Sequence, residues 1–308
     1  MIVGSAHSAR TASRAPTVRT EQGEAKMTGV KHLSMAGPTE AELQSAGLRF
    51  TQSGPIAEIT LCRPERRNTQ SPAMWRALAA LGQTMPTDIR VVIVRAEGRS
   101  FSAGLDRSML KDPASPHEAA DGETISGLLD GTDMTVARTI REYQDGFLFL
   151  RNSNFISIAA VQGHAVGAGF QLALACDLRV VADDATFCMK EVALGLVPDL
   201  TGLTPLVRQV GYGRALEICV TARNIVAAEA LSLGLAHSVV PVNDLESETR
   251  AMAHTLLQAD TAAAREVKQL VQSAEVVHVE HQRQLEAAAQ TRLLRARSAT
   301  ADGSDRGF

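Results

Sequence analysis

Three observations predict an α/β fold for this chain. Residues 158–161, Ile-Ala-Ala-Val, read as a buried strand; the chain then turns through Gly163, Gly167 and Gly169 into an apolar run over 170–176 that suits a buried helix. An earlier stretch repeats the plan, since Val91, Val92, Ile93 and Val94 read as a buried strand running into the glycine-bearing turn 98–106. The last third is helical by composition and period over 245–259 and 262–294.

Taken in order, residues 1–44 are expected to form a disordered extension. The first twenty residues are rich in Ser, Thr, Ala and Arg, have no acid before Glu21 and lack the apolar region of a secretory signal, while Met27 and Met35 are both possible starts. Residues 48–51 and 56–61 alternate as a hairpin joined by 52–55, and 63–68 form a polar loop. Ser71 and Pro72 open a helix over 73–85, because Ser can accept from free N–H groups of the first turn and Pro is tolerated there. Residues 111–136 carry Pro113, Pro116, Gly122, Gly127 and Gly131 and read as a polar loop. A helix over 139–150 offers Phe147, Phe149 and Leu150 either to an apolar tunnel or to the core. Helices follow over 206–210, 215–220 and 227–233, then a turn into a short strand over 234–240. The expected division is a core over 45–240 and a C-terminal helical region over 241–308.

Composition narrows the function. Hydrophobic residues at 45% and charged ones at 21% describe a soluble globular chain of 308 residues, long enough to bury a large core. A net charge of −3 gives no reason to expect nucleic acid or an anionic membrane as partner, and no apolar run reaches membrane-spanning length. Cys62, Cys176, Cys188 and Cys219 have neither paired nor metal-type spacing, so a reduced cytoplasmic setting without a metal is expected. The glycines do not form a dinucleotide fingerprint, because after Gly167 and Gly169 the next required position is Leu172.

Two strand-to-glycine turns suit an oxyanion hole, in which two N–H donors converge on one oxygen; a helix N-terminus supplies such donors together with a partial positive charge. The stretches Phe101-Ser102-Ala103-Gly104-Leu105-Asp106, 159–169 (AAVQGHAVGAG) and Ala175-Cys176-Asp177 resemble the enoyl-CoA hydratase/isomerase (crotonase) superfamily, over roughly residues 48–268. The resemblance implies a crotonase-like spiral of repeated ββα units with a C-terminal helical trimerisation region, assembled as a homotrimer or dimer of trimers. It implies an acyl-CoA thioester substrate, with coenzyme A entering as part of that substrate and no further cofactor. The backbone N–H groups of Leu105 and Ala168 would be the oxyanion donors. Ala103, Gly104, Asp106, Gly167 and Lys268 would lie along coenzyme A, and 63–68 near its pantetheine and phosphates. The tail over 298–308 lacks the family's usual ending.

The acids decide the reaction. Hydratases of the family use two glutamates on one water, a pairing in which one accepts a proton while the other donates. The first glutamate position is Gln171 here, and an amide orients a water or carbonyl but exchanges no proton usefully. The second is Glu191, followed by Asp199, an arrangement that resembles dienoyl-CoA isomerases; Pro198-Asp199 also resembles 3-hydroxyisobutyryl-CoA hydrolases. Glu191, Asp199 and Gln171 are therefore the catalytic candidates. Each also has an ordinary reading: Glu191 as a solvated residue at a strand end, Asp199 as a turn or cap residue, Gln171 as a bonded helix residue, and His164 as a structural histidine. Double-bond isomerisation ranks first. Hydration by a single carboxylate, thioester hydrolysis and a non-catalytic CoA-thioester binding subunit follow as alternatives.

Overall fold

The computed structural model describes residues 37–110 and 124–304. In chain order the elements are α1 (Glu40–Ser45), β1 (Leu48–Ser53), β2 (Ile56–Leu61), α2 (Pro72–Gln83), β3 (Val91–Ala96), α3 (Ile125–Leu129), α4 (Asp133–Leu148), β4 (Ile156–Val161), β5 (His164–Val166), α5 (Ala168–Ala175) and β6 (Leu178–Ala182). They continue with β7 (Thr186–Cys188), α6 (Leu203–Val210), α7 (Tyr212–Thr221), β8 (Ile225–Val226), α8 (Ala227–Ser232), β9 (Ser238–Val240), α9 (Leu245–Leu257), α10 (Thr261–Ala274) and α11 (Val279–Ser304).

The main sheet runs β1-β2-β3-β4-β6-β9, with the β1/β2 hairpin antiparallel and every later pair parallel. Parallel strands are stable when both faces are covered. Here Val92 and Val94 of β3 face the larger core with α2 and α5, while Val91 and Ile93 face a smaller one closed by Leu245 and Ala253 of α9. A second, three-stranded sheet β5-β7-β8 leads through β5 into the glycine turn before α5. This mixed architecture is the α/β class that the strand and turn pattern predicts.

Several boundaries differ from expectation. The folded body begins before residue 44: α1 lies within the stretch expected to be disordered, with Thr39 and Glu42 bonding reciprocally to each other's backbone N–H and Leu43 buried. Residues 1–36 lie outside the described residues. So do 111–123 of the expected loop, but its second half is helical in α3 and at the start of α4. The helix expected over 262–294 is two helices, broken at 275–278 so that α11 folds back on α10, with Arg292 gripping Glu266 by two bonds of 2.8 Å. Across the boundary expected at 240/241, α9 packs against the sheet, its Leu245 and Ala253 closing the smaller core. Phe147 and Leu150 are fully buried in the larger core, so they pack it rather than line an acyl tunnel. Among the described residues no helix is long and apolar enough to cross a membrane.

Two buried cations brace the core. Arg179 on β6 is completely buried; its guanidinium donates to the carbonyls of Ala173, Cys176 and Leu235 and to Gln209 Oε1, closing the last turn of α5. Lys268 on α10 donates to Phe155 O (2.7 Å) and to Asp177 Oδ2 (2.6 Å), and Asp177 in turn accepts from Ser157 N and Oγ. The Asp177 of the Ala-Cys-Asp motif therefore docks α10 onto the sheet. Lys268, expected beside coenzyme A phosphates, is 8% exposed and spent inside the fold, since a desolvated ammonium has to be satisfied by fixed oxygens.

Candidate active site

The two glycine turns meet. Ser102 N donates to His164 O (2.8 Å) and Val166 N donates to Ser102 O (3.0 Å), so the turn after β3 joins the chain leading into the turn after β4 as a short parallel bridge. The glycines permit this contact. A Cβ at Gly163 would stand 1.9 Å from Arg99 O, one at Gly104 2.4 Å from Val166 O, and one at Gly169 2.6 Å from Ser102 O. Close approach of the two turns to each other, as well as approach to an anion, is thus what these positions require.

The first turn is braced from outside by buried polar side chains, Asn68 at the end of the loop over 63–68 and Gln70 just beyond it. Asn68, at φ 52°, donates to Glu97 O (2.8 Å) and Ser100 O (2.9 Å) and accepts from Arg63 N. Gln70 N donates to Gly104 O, Gln70 O accepts from Asp106 N, and its side chain spans Ser102 Oγ and Trp75 Nε1. These bonds flank Leu105 and leave its N–H without a protein acceptor among the described residues. Asp106 is buried; one oxygen holds Arg66 at 2.6 Å and the other accepts from Ser108 N and Oγ. Ala103 N is tied to Arg67 O, joining this turn to the loop over 63–68. The one advance signal was Asn68, a residue type that tolerates left-handed backbone.

The second turn ends at the N-terminus of α5. Gly167, at φ 52°, donates to Cys188 O, and Ala168 begins the helix with an N–H that has no partner among the described residues. Leu105 N and Ala168 N thus lie in turns that touch, the pairing an oxyanion hole needs.

The acid wall stands beside Gly167 because of strand register. Parallel pairing of β5 with β7 sets Val166 against Cys188, so Gly167 and Glu191 follow from adjacent strand ends. A Cβ at Gly167 would lie 3.2 Å from Glu191 Oε1. Glu191 opens a short 3₁₀ turn and is 9% exposed, so it is buried and not a solvated strand-end residue. Gln171, buried on α5, donates to Glu191 Oε1 at 2.7 Å, while Glu191 Oε2 is buried with no hydrogen-bond partner among the described residues. Burial raises the Glu191 carboxyl above its ordinary range, against its hydrogen bonds to its own backbone and to Gln171, and the nearby Asp199 charge raises it further. Asp199 is half-buried; burial raises its carboxyl too, and its backbone carbonyl accepts from Gln144 Nε2 on α4 at 2.7 Å. His164 is exposed, with Nδ1 3.4 Å from Ser100 Oγ. Glu191, Gln171 and Asp199 therefore come together beside the two turns, whereas Lys268 is engaged elsewhere.

Known proteins share this arrangement of chain. Residues 114–304 match the sequence profile described as enoyl-CoA hydratase/isomerase. A Thermobifida fusca YX protein described as an enoyl-CoA hydratase, solved with CoA, is 44% identical with a TM-score of 0.80, covering 86% of this chain and 100% of its own. A probable enoyl-CoA hydratase of Mycobacterium bovis is 31% identical over 71% of this chain and 78% of its own. A mitochondrial Delta(3,5)-Delta(2,4)-dienoyl-CoA isomerase of Rattus norvegicus is 34% identical over 62% and 57% respectively. With its paired turns, its buried acid wall and these matches, the chain belongs to the enoyl-CoA hydratase/isomerase, or crotonase, superfamily.

Proposed function

We propose that this protein is an enzyme acting on enoyl-CoA thioesters, and that its reaction is migration of a carbon–carbon double bond by proton shuttling. The thioester carbonyl oxygen sits between the N–H groups of Leu105 and Ala168. Glu191 takes a proton from the α-carbon, and the C–H electron pair moves into a dienolate whose negative oxygen the two N–H groups stabilise. The proton returns at a remote carbon of the acyl chain, from Glu191 or with help from Asp199, and the thioester leaves with its mass unchanged. Coenzyme A arrives and departs as part of the substrate, along Ala103, Gly104 and Gly167 and the loop over 63–68.

The observation that carries this reading is the pair Glu191–Gln171. One buried carboxylate raised toward neutrality suits a base that must also return its proton, and the amide beside it offers no second proton for the addition of water. Glycine-flanked donors without a protein acceptor supply the anion stabilisation that such a step needs. We further infer a homotrimer or dimer of trimers, as the family resemblance implies, and the exposed apolar surface of Leu203, Val207, Leu216, Val220, Val267 and Val271 on α6, α7 and α10 supports a subunit interface there; sedimentation velocity tests the assembly.

The deciding experiment incubates the protein with 2-enoyl-, 3-enoyl-, dienoyl- and 3-hydroxyacyl-CoA thioesters and follows absorbance and mass. Isomers of equal mass are expected, with Glu191→Gln slower by about 100- to 10,000-fold. Gain of one water replaces this reading with hydration, free CoA replaces it with hydrolysis, and binding without turnover replaces it with a non-catalytic CoA-thioester binder.

A further inference from the structure

The turn after Asp199 is strained in one place. Thr201 sits at φ 69°, a left-handed conformation that a β-branched residue rarely adopts and that persists only where its surroundings over-determine it. Here the surroundings are one atom. Leu200 N (2.9 Å) and Gly202 N (3.2 Å) both donate to Gln171 Oε1, and Gly202 has no room for a side chain, since a Cβ there would lie 2.6 Å from Gln171 Cγ. Two N–H groups on either side of a left-handed residue form a small concave donor site, here filled by the amide oxygen.

This arrangement settles which way the amide points. Backbone N–H groups only donate, so the Gln171 atom between them is oxygen. The other atom is then the NH₂, which also only donates, and it faces Glu191 Oε1 at 2.7 Å. Glu191 Oε1 is therefore held as an acceptor, which favours placing any proton on the other oxygen. Its partner oxygen, Oε2, buried and unbonded among the described residues, is the atom left to take one.

We propose that Gln171 is a positioning residue: the strained Leu200–Thr201–Gly202 turn locks its amide so that Glu191 exchanges protons through Oε2 alone, and the same lock holds Asp199 beside that carboxylate. This rests on Glu191 being the proton carrier. It also changes the meaning of an amide at a position expected to be catalytic. Gln171 moves no proton and instead selects the oxygen that does.

The test measures kcat, KM and the pH profile of kcat/KM for the wild type, Gln171→Leu, Gln171→Glu and Thr201→Gly, with Glu191→Gln alongside, using the enoyl-CoA thioester of the panel turned over fastest. Gln171→Leu removes a bond to an ionised carboxylate. It is expected to lower kcat about tenfold to a hundredfold with KM within about twofold, and to move the acid limb up by about one pH unit. Gln171→Glu, which nearly keeps the side chain's shape and can still accept from both N–H groups, is expected to move the limb further up through like-charge repulsion, recovering rate at pH values above it. Thr201→Gly forms the same turn without strain and is expected to hold the limb where the wild type has it. Should Gln171→Leu fail to fold, Gln171→Glu decides alone. An acid limb unmoved in the Gln171 variants, with Glu191→Gln still inactive, overturns the lock and leaves Glu191 as the base. Full activity of Glu191→Gln, or no turnover by the wild type, overturns both.

Discussion

The floor and the wall of this site are built from different materials. The floor is two turns whose donors are backbone N–H groups, fixed by glycines that bring the turns within 1.9–2.6 Å of a would-be Cβ. The wall is side chains, Glu191, Gln171 and Asp199, whose properties come from burial and from one another. On the proposed function, the difference teaches that the general part of the chemistry, holding an oxyanion, is written into the path of the chain. The part that chooses a reaction sits in a few replaceable groups.

The hardest way to break the floor is to fill its contact. Gly163→Ala puts a methyl group against the Arg99 carbonyl at a position of φ 56°, and neither backbone can yield alone. A loss of about 4 kcal/mol or more is expected, read as a lower urea midpoint. Removing an outside brace is milder. Asn68→Ala strands the carbonyls of Glu97 and Ser100 and the N–H of Arg63, and about 1–3 kcal/mol should be lost, with kcat falling because the Leu105 donor shifts.

The wall answers with the opposite sign. Glu191 and Asp199 have raised carboxyl pKa values, so the folded chain holds their protons to higher pH than the unfolded chain does. Their contribution to stability is greatest below the ordinary carboxylate range and is lost as pH rises through the raised folded values; above that window the ionised groups weigh against the fold. Glu191→Gln is thus expected to melt above the wild type at neutral pH, with the advantage gone below about pH 4, even though turnover is expected to slow by about 100- to 10,000-fold. Thermal scans across pH check this, and a lower melting temperature at neutral pH would contradict the burial argument. The smallest effect belongs to Lys268, outside both floor and wall. Replacing its pair together, Lys268→Met with Asp177→Asn, should leave KM for the CoA thioester within about twofold and stability little changed. A KM several-fold higher would return Lys268 to the substrate.

Sequence reading named every residue of floor and wall that the structure brings together. Glycine-marked turns after apolar strands are local patterns, so Leu105, Ala168 and the helix behind Ala168 were legible, as were the β1/β2 hairpin and the Ser71 cap. Asn68 and Gln70 were not, because a buried polar side chain looks like a loop residue until distant carbonyls surround it. Lys268 was misplaced for the same reason, its oxygens coming from Phe155 and Asp177, far away in the chain. The break at 275–278 escaped a reading based on helical period, and the lock on Gln171 depends on a positive φ at Thr201 that no residue type announces.

Arg179 also ties the site's helix to distant chain. Its guanidinium closes the last turn of α5, the helix that presents Ala168 N, yet two of its acceptors, Leu235 O and Gln209 Oε1, belong to chain synthesised later. A chain stopping just past Asp199 would contain both turns, Glu191 and Gln171, but lack half of the oxygens that surround Arg179. The brace behind Ala168 N is thus completed only by residues as far along the chain as Leu235.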